Sequence, residues 1–381
     1  MAVKAVKTLK NLLFLTLPSL LILFLILELF FRFVIPSTNP PRGYFDEEEK
    51  IFHLSRNPKT GICTIGRLAT LRAEWNVNNM GWNFPVDYET EREGRLIAVI
   101  GDSFIEALEV DSDKKYPFLL RQKLLPQYDV YAFGRGGSPL SQYLHISRYV
   151  ARHFDPEIMI FNICYNDFVE SVRELHPIKS YYMQLSIRDG IITEIEPSPD
   201  YTHYQYRPMI KLVFENSAVA RYFFSNLRIK ALGRSDKNDR SEIEGNIFFK
   251  KAEENRDMLR LAASYIVSSI VKENPGRRII LIMDAPREAI YNDCVEDSRI
   301  RWLNEMTAEI CLNHGAEFID LTVPMLADYR KNHRKFNSEI NFHYDEYGHF
   351  FVSEILYHYL LNDKPDHAEK ALHHALETTQ Q

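Results

Sequence analysis

The sequence predicts an α/β fold: a three-layer α/β/α sandwich on a five-stranded parallel sheet, with a transmembrane helix at the N-terminus. Two observations predict the sandwich. Five short apolar runs alternate with amphipathic stretches between residues 95 and 361. Each run is too apolar to leave one face in water, which is typical of parallel strands covered by helices on both sides. A separate apolar run near the N-terminus predicts the membrane helix.

The N-terminal segment, residues 1–35, has the pattern of a membrane anchor. Lysines at positions 4, 7 and 10 precede NLLFLTLPSLLILFLILELFFRFVI, in which the first acidic residue is Glu28. The run is long enough to cross a bilayer, and the lysines favour a cytoplasmic tip with the remainder of the chain outside. Bulky residues follow where a signal peptide would have a small-residue cleavage site, so we expect a retained anchor. The alternative is a buried helix of a soluble domain.

The next stretch, residues 36–51, predicts a linker because PSTNPPRGYFDEE is rich in prolines and turn formers. We expect a folded domain over residues 52–381, with only the tail LETTQQ unstructured. A content of 45% hydrophobic and 26% charged residues is typical of a folded protein. The net charge of -6, without a basic stripe beyond the first ten residues, argues against a nucleic-acid partner.

The elements of the α/β domain follow one another along the chain. Strands are predicted at RLIAVIGDS (95–103), YDVYAFG (128–134), EIMIFNICYND (157–167), RRIILIMD (277–284) and AEFIDLT (316–322). Helices are predicted at YPFLLRQKLL (116–125), PLSQYLHISRYVARHF (139–154), 248–273, 297–313 and 345–361. The repeated strand-helix order predicts the parallel sheet.

Between residues 168 and 246 this alternation stops. The segment is rich in tyrosine, predicts a hairpin with Arg-Asp-Gly at its turn, and predicts a helix near 217–230. An insertion of this size after the third strand is expected to form a cap or subdomain beside the carboxyl ends of the strands, where such sheets bind ligands. Two roles are compatible with its tyrosines: stacking against sugar rings or, for most of them, forming the core of that subdomain.

The four cysteines, Cys63, Cys164, Cys294 and Cys311, are too few and too scattered for a disulfide scaffold. A single Cys294–Cys311 bridge and four free thiols are both compatible with an extracytoplasmic domain. No metal and no cofactor are predicted, since the sequence has neither HExxH nor a close cluster of histidines with acids. GRGGSP also lacks the G-x-G-x-x-G spacing of a dinucleotide site.

Polar residues follow three of the predicted strands. Ser103 lies on the turn after the first strand, a position where serine is usually a helix cap. AFGRGGSPL places glycines at 134, 136 and 137 after the second strand, and CYNDF places Asn166 after the third. These strand ends share one edge of the sheet, so the N–H groups of Ser103 and Gly137 and the Asn166 carboxamide are expected to surround a developing oxyanion.

A serine that attacks an acyl carbon also needs a base. Of the 13 histidines, His343 in NFHYDEYGHFF is the best candidate, because it follows the fifth strand and precedes the last helix. That position brings it to the same edge of the sheet as Ser103. His349 is expected to pack within the final helix.

Together these segments resemble the blocks of the SGNH (GDSL-type) hydrolase family, in its membrane-anchored bacterial type. GDSF corresponds to the nucleophile block, GRGG to the glycine block, YND to the asparagine block and NFHYDEYGH to the histidine block. VNNMGWNFPVDYE and FDPEIMIFNICYNDF resemble further segments of these proteins. The similarity runs from Asn76 to Leu361, and the segment 168–246 is unmatched.

The resemblance implies a flavodoxin-like sheet and a serine hydrolase site. It assigns Ser103 as nucleophile and His343 as general base. The N–H of Ser103, Gly137 and Asn166 would form the oxyanion hole, and Asp102 would orient the turn. Cys164 departs from the family, in which many members have glycine at that place.

The family's acid, two or three residues before the histidine, is also missing here. Asn341 and Ile340 occupy those positions. An asparagine orients an imidazole but does not stabilise its charged form as a carboxylate does. The alternatives are Asn341 as the third catalytic residue, Glu339 or Asp345 as the acid, or a Ser-His dyad.

The predicted function is a serine esterase acting outside the cytoplasmic membrane on O-acyl groups of a glycan or lipid, through an acyl-serine intermediate. An O-acetyltransferase with the same site is one alternative. A catalytically inactive binding or scaffold protein of the envelope, which has lost the acid, is another. The expected partners are the acylated substrate, the membrane and an envelope biosynthetic complex.

Overall fold

The computed structural model describes residues 10–201, 207–227 and 243–361. The chain forms two compact units. The smaller one comprises Met1–Pro40, Gly61–Ala73 and Tyr201–Ser235, and the larger one comprises Pro41–Thr60, Glu74–Asp200 and Asp236–Gln381.

The larger unit contains the predicted five-stranded parallel sheet, which is thereby confirmed. Its strands are β1 (Arg95–Gly101), β2 (Tyr128–Gly134), β3 (Ile158–Ile163), β4 (Arg278–Met283) and β5 (Glu317–Asp320). They lie in the order β5-β4-β3-β1-β2, and neighbouring strands are parallel. This is the flavodoxin-like order, in which the direction of winding reverses between β1 and β3. A crevice is expected at that point, at the carboxyl ends of the strands.

Helices cover both faces of the sheet, as the apolar runs predict. They are α1 (Tyr116–Leu124), α2 (Leu140–Phe154), α3 (Arg256–Glu273), α4 (Trp302–His314), α5 (Thr322–Asn332) and α6 (Glu346–Leu361). On one face α3 packs between α2 and α4, and on the other α1 packs against α6. All six residues of β3 are buried, as is β1 from Leu96 onward. Burial on both faces explains why these strands are continuous apolar runs.

Several short helices differ from the prediction. The helix predicted at 248–273 is divided at Asn255, whose backbone leaves the helical region, into Phe249–Glu254 and α3. The helix predicted at 297–313 starts only at Trp302, after a 3-10 turn at Val295–Asp297. The sequence analysis did not predict α5 or the helices Ser103–Glu106, Asn166–Glu170 and Arg287–Tyr291.

The predicted linker, residues 36–51, contains regular structure. Gly43–Asp46 pairs with Ile51–Leu54 as an antiparallel hairpin, so folded structure begins before Phe52. All four residues of the second strand are buried. A second antiparallel pair, Thr60–Ile65 with Leu71–Asn76, follows. The prolines at 36, 40 and 41 precede the hairpin and do not prevent it.

The segment predicted as one insertion, residues 168–246, is divided between the two units. Its first part, in the larger unit, forms the predicted hairpin Gln184–Arg188 with Ile191–Ile195. The turn residues Asp189 and Gly190 have φ of 51° and 77°, as a type I′ turn requires. Two-residue strands at Ile243–Glu244 and Ile247–Phe248 complete this part.

The second part of that segment belongs to the smaller unit. It forms the helices Pro208–Asn216 and Ala218–Arg221 and a π-helical turn at Tyr222–Asn226, where a single helix near 217–230 was predicted. Parts of the predicted insertion, 202–206 and 228–242, lie outside the described residues, as does the tail.

The N-terminal run forms a helix, π-helical at Leu12–Thr16 and α-helical at Leu17–Phe33. Its 22 residues are long and apolar enough to cross a membrane, and its side chains are almost all exposed. The helix predicted at this position is therefore present.

Candidate functional site

Ser103 lies directly after the carboxyl end of β1. Asp102 caps the one-turn helix Ser103–Glu106, because its Oδ1 accepts a hydrogen bond of 2.9 Å from the N–H of Phe104. Asp102 Oδ2 lies 3.3 Å from the Ser103 hydroxyl. The cap fixes the backbone of the turn and leaves the serine side chain partly exposed at the rim of the sheet.

His343 meets Ser103 at this rim. Its Nε2 lies 2.8 Å from Ser103 Oγ, a hydrogen-bond distance, although the two residues are 240 positions apart. The histidine sits on the loop between α5 and α6, and the Phe104 ring packs against the imidazole with centroids 5.1 Å apart. The structure thus brings into contact the two side chains that the sequence predicts as nucleophile and base.

The other imidazole nitrogen has two oxygen neighbours. His343 Nδ1 lies 2.8 Å from Asn341 Oδ1 and 3.1 Å from Glu109 Oε1. The Asn341 amide donates a 3.0 Å hydrogen bond to the same Glu109 oxygen. Both oxygens can only accept, so the proton belongs on Nδ1. Nε2 is then free to accept the hydrogen of the Ser103 hydroxyl.

Glu109 is a site residue that the sequence analysis missed. Its side chain is 15% exposed, as is that of His343. Burial alone would raise the pKa of Glu109, but the hydrogen bonds from His343 and Asn341 and the charge of the imidazole outweigh it and hold that pKa below its usual value. The group at the far side of the imidazole is therefore a carboxylate at neutral pH.

The chain brings Glu109 back to the site by ending the Ser103–Glu106 helix abruptly. Ala107 adopts the left-handed conformation, with φ of 41°, which is unusual for a residue other than glycine. The two acids considered from the sequence do not take this place. Glu339 is exposed, and Asp345 accepts a 2.9 Å hydrogen bond from the N–H of Gly348 in the first turn of α6. Within the described residues neither hydrogen-bonds to His343.

The glycine loop after β2 lies against the serine turn. A Cβ on Gly134 would come within 2.3 Å of the Glu106 nitrogen, so only glycine fits there. A Cβ on Gly136 would lie 3.7 Å from the Ser103 Cβ. The Glu106 carboxylate accepts a 2.7 Å hydrogen bond from the N–H of Gly136 and pairs with Arg135. Glu106 therefore ties the two turns together.

The two other predicted oxyanion donors belong to neighbouring strand ends. Gly137 has φ of 79°, so the loop needs glycine at this point, and the Tyr182 hydroxyl donates to the carbonyl of Gly136 beside it. Asn166 begins the helix Asn166–Glu170 after β3 and is buried. Its Oδ1 has no hydrogen-bond partner among the described residues. The carbonyl oxygen of this amide is thus unpaired among these residues, whereas the side chain also hydrogen-bonds to the Glu170 carboxyl group.

Beneath the serine turn lies a buried group of Asp102, Cys164 and Asp167. Their potential ligand atoms lie within 4.8 Å of one another, the one such group of metal-ligand type in the part of the chain that the structure describes. Burial raises the pKa of Asp102 to about 6, and burial together with the Asp102 charge raises the pKa of Asp167 well above its usual value.

These carboxyl groups already have protein donors. Asp167 accepts hydrogen bonds of 2.8 Å from the Tyr143 hydroxyl and from the N–H of Cys164. Asp102 accepts from Phe104, as described above. The residues that can hold a cation are thus engaged in positioning the loops after β1 and β3. Cys164, at the family's glycine position, fills space between them, with Sγ 3.9 Å from Asp102 Oδ1.

A pocket of about 430 Å³ borders the histidine loop. Its wall is mixed, with polar and aromatic side chains that include Asp284, Arg287, Tyr291, Lys335, Asn341 and Phe342. Arg287 is buried and held by Asp284 at 3.1 Å. The pocket offers hydrogen-bonding groups next to Asn341, and so next to the imidazole.

Two further predictions from the sequence concern the cysteines and His349. None of the four cysteines is in a disulfide, so the Cys294–Cys311 bridge is not formed. His349 is buried in α6, and its Nδ1 accepts a 3.3 Å hydrogen bond from the N–H of Tyr116. Burial lowers the pKa of His349 to about 3, so this histidine is neutral and has a packing role, as expected.

No protein-family model matches this chain, and no curated protein matches it in sequence. The chain is similar to solved structures of lipolytic enzymes. A member of the lipolytic protein G-D-S-L family from Veillonella parvula is 10% identical, with a TM-score of 0.33, and the match covers 68% of this chain and 94% of that one.

Two further structures are similar to a comparable extent. The lipase/acylhydrolase from Enterococcus faecalis is 11% identical with a TM-score of 0.38, and the match covers 70% of this chain and 95% of that chain. A putative arylesterase from Agrobacterium tumefaciens is 11% identical with a TM-score of 0.37, and the match covers 70% and 99%.

Proposed function

We propose that this protein is a serine ester hydrolase of the SGNH type. The observation that carries the proposal is the line of contacts from Ser103 through His343 to Glu109. A hydroxyl, an imidazole and a carboxylate in hydrogen-bond sequence make up the arrangement that activates serine for attack on an acyl carbon. Its position at the carboxyl ends of parallel strands, beside the reversal in strand order, is where such sheets bind ligands.

In the first half-reaction Ser103 Oγ attacks the ester carbonyl carbon while His343 Nε2 takes the hydroxyl proton. The tetrahedral intermediate collapses as the bond to the alkoxy oxygen breaks, and the imidazolium gives its proton to that leaving oxygen. Water then attacks the acyl-serine by the same steps, with His343 again as base. The acid product leaves and Ser103 regains its proton.

Glu109 stabilises the imidazolium that forms in both half-reactions. Its carboxylate faces Nδ1–H, and its lowered pKa keeps it charged during turnover. Asn341 positions both partners, because its carbonyl oxygen accepts from the imidazole and its amide donates to Glu109. The replacement of the usual acid by asparagine is thus compensated by a glutamate from another loop. This removes the main support for an inactive scaffold protein.

The oxyanion of the intermediate is assigned to the N–H groups of Ser103 and Gly137 and to the Asn166 amide. The hydrogen bond from the Gly136 N–H to the Glu106 carboxylate supports this assignment. It holds the glycine loop, which carries the Gly137 N–H, against the turn that carries the Ser103 N–H. Donors fixed before the reaction stabilise the developing charge without reorganisation.

The substrate we propose is an O-acyl ester of a glycan or lipid outside the cytoplasmic membrane. The mixed pocket beside Asn341 supports a polar group on one side of the ester, and the N-terminal helix supports location at the membrane. A hydroxyl of a second substrate in place of water would make the same site an O-acetyltransferase. Release of free acid distinguishes hydrolysis from transfer.

The test is hydrolysis of a short-chain nitrophenyl ester by the full chain. Replacement of Ser103 by alanine should lower kcat/KM by about 10³-fold or more. Ser180→Ala, at a serine whose hydroxyl donates to the carbonyl of Ser198, serves as the matched control. Equal turnover by the two folded variants would refute the assignment of the nucleophile, and no serine-dependent turnover of any ester would refute the proposed function.

A further inference from the structure

The smaller unit exposes an apolar surface on the segment 208–226. None of the nine residues of the helix Pro208–Asn216 is buried. Met209 is 73% exposed and Leu212 58% exposed. The exposed apolar side chains of the segment are Met209, Ile210, Leu212, Val213, Phe223 and Phe224. A cluster of this kind marks a surface that contacts another apolar phase.

The segment is attached to the last turns of the N-terminal helix through Glu28. The Glu28 carboxylate accepts hydrogen bonds from the N–H groups of Ala218 at 2.7 Å and Val219 at 3.2 Å, and from the Ser217 hydroxyl at 3.1 Å. Glu28 thus caps the helix Ala218–Arg221 from another part of the chain. An acidic residue within a membrane span needs such partners, since an unpaired one is costly there.

Further contacts fix the same segment just beyond Glu28. Arg32 donates to the carbonyl of Asn216. The Phe31 ring stacks on Tyr222 with centroids 3.8 Å apart and an angle of 19° between the rings. These contacts place the segment beside residues 28–32, where the apolar helix ends. If that helix crosses the bilayer, the segment lies at the edge of the same bilayer.

A groove of about 800 Å³ separates the helix from the segment. Its lining is predominantly apolar and includes Phe24, Leu212, Val213, Val219, Phe223 and Phe224. Phe24 belongs to the exposed apolar run of the N-terminal helix, so the groove continues the surface that would face lipid.

We propose that residues 208–226 are a second membrane contact, an interfacial element at the C-terminal end of the membrane-spanning helix. Phospholipid acyl chains of the leaflet at that end contact its apolar side chains and fill the groove. The proposal rests on the membrane location in the proposed function. It extends that location from a single helix to a helix with an attached interfacial segment. The continuity of the groove with the span favours lipid over a protein partner.

The test uses the full chain with Cys63 and Cys294 replaced by serine, reconstituted in phosphatidylcholine vesicles. A fluorophore of the nitrobenzoxadiazole type is attached at Leu212→Cys, at Leu23→Cys within the span, and at Glu296→Cys on an exposed site of the larger unit. Quenching is measured with phosphatidylcholine brominated on its acyl chains and with aqueous iodide. Phe224→Cys provides a second position in the segment.

We expect brominated lipid to reduce the emission at positions 212 and 224 about twofold, as at position 23, with little quenching by iodide. If iodide quenches position 212 as strongly as position 296, while position 23 is quenched only by brominated lipid, the proposal of an interfacial segment is overturned. The membrane anchor is then still supported. Protection from both quenchers at 212 also overturns the proposal of an interfacial segment, since a protein surface then covers the segment. Iodide quenching at position 23 overturns the anchor itself.

Discussion

The sheet rim and the segment 208–226 each contain a contact between a glutamate and a partner that is distant along the chain. Glu109 faces an imidazole at the rim, and Glu28 faces backbone N–H groups at the start of a short helix. In the proposed reaction the imidazole that faces Glu109 takes up a proton, whereas the backbone N–H groups that face Glu28 remain hydrogen-bond donors throughout. The partner therefore decides the role of the carboxylate: stabilising the imidazolium in the proposed reaction at the rim, and attaching the segment 208–226 near the anchor.

The largest effect is expected from replacing the carboxylate at the rim. Glu109→Gln keeps the shape of the side chain but removes the charge that stabilises the imidazolium, so kcat/KM for a short-chain ester should fall about 10²- to 10⁴-fold. Glu339→Gln is the matched control, because that glutamate is exposed and was the alternative acid. Loss of activity in the control with retention in Glu109→Gln would reverse the assignment.

A carboxylate moved to the family's usual position should restore part of that loss. The double variant Glu109→Gln with Asn341→Asp places the charge on the side chain now 2.8 Å from Nδ1. We expect kcat/KM about tenfold above that of Glu109→Gln alone. Asn341→Asp in the wild-type background should instead lower activity, because two carboxylates would then face each other at 3.0 Å. A double variant no better than the single one would show that Glu109 acts in another way.

The corresponding change near the anchor should affect attachment and leave the chemistry intact. Glu28→Leu removes the acceptor for Ser217, Ala218 and Val219, and loss of a helix cap costs about 1–2 kcal/mol. Amide hydrogen exchange in residues 217–220 should accelerate about tenfold or more in reconstituted protein, while ester hydrolysis remains unchanged. Glu28→Gln retains an acceptor oxygen and should exchange more slowly than Glu28→Leu. Equal exchange in all three proteins would contradict the capping role.

A third glutamate, Glu170, differs from Glu109 and Glu28 because it has no basic partner among the residues that the structure describes. Burial raises its pKa from 4.5 to about 7, although a hydrogen bond from Asn166 opposes the shift. The folded state therefore holds a proton that the unfolded state releases, and this group's contribution to stability falls as pH rises from about 4.5 to 7. We expect Glu170→Gln to be about 1–2 kcal/mol more stable than wild type at pH 8 and no more stable at pH 4.

Urea unfolding at the two pH values, followed by tryptophan fluorescence, checks this expectation. Glu174→Gln, on the same stretch of chain, is the control, because the pKa of Glu174 is lowered and its carboxylate is hydrogen-bonded to Ser186. If Glu170→Gln were more stable than wild type by the same amount at both pH values, burial of the charged carboxylate would not be the cause of the difference in stability.

Most of the sheet could be predicted because each strand is a continuous apolar run, and its ends agree with the structure to within a few residues. The meeting of Ser103 with His343 follows from the same pattern, since both positions follow parallel strands. The first hairpin was not predicted, because the prolines at 36, 40 and 41 resemble a linker. Buried Phe52 and Leu54, apolar and separated by one residue, carry a weak signal for it.

Glu109 could not be found by periodicity. It lies six residues after Ser103. The helix between them is too short to show a periodic pattern, and the left-handed conformation of Ala107 has no signal in the sequence. The available signal was an acid close to the nucleophile on the same loop. The division of residues 168–246 was hidden for another reason: Glu28 and Ser217 are 189 positions apart, and nothing local links them.

The bridge from Glu106 to Gly136 makes one wall of the proposed active site intolerant of change. Side chains cannot be added at Gly134 without displacing the backbone that carries the nucleophile, and Gly136 has little more room. We therefore expect acceptance of bulkier or differently charged esters to arise at the open pocket beside Asn341, which is lined by Lys335 and residues 337–342 among others. Sequence drift among proteins built this way should concentrate there, with the glycine side nearly invariant.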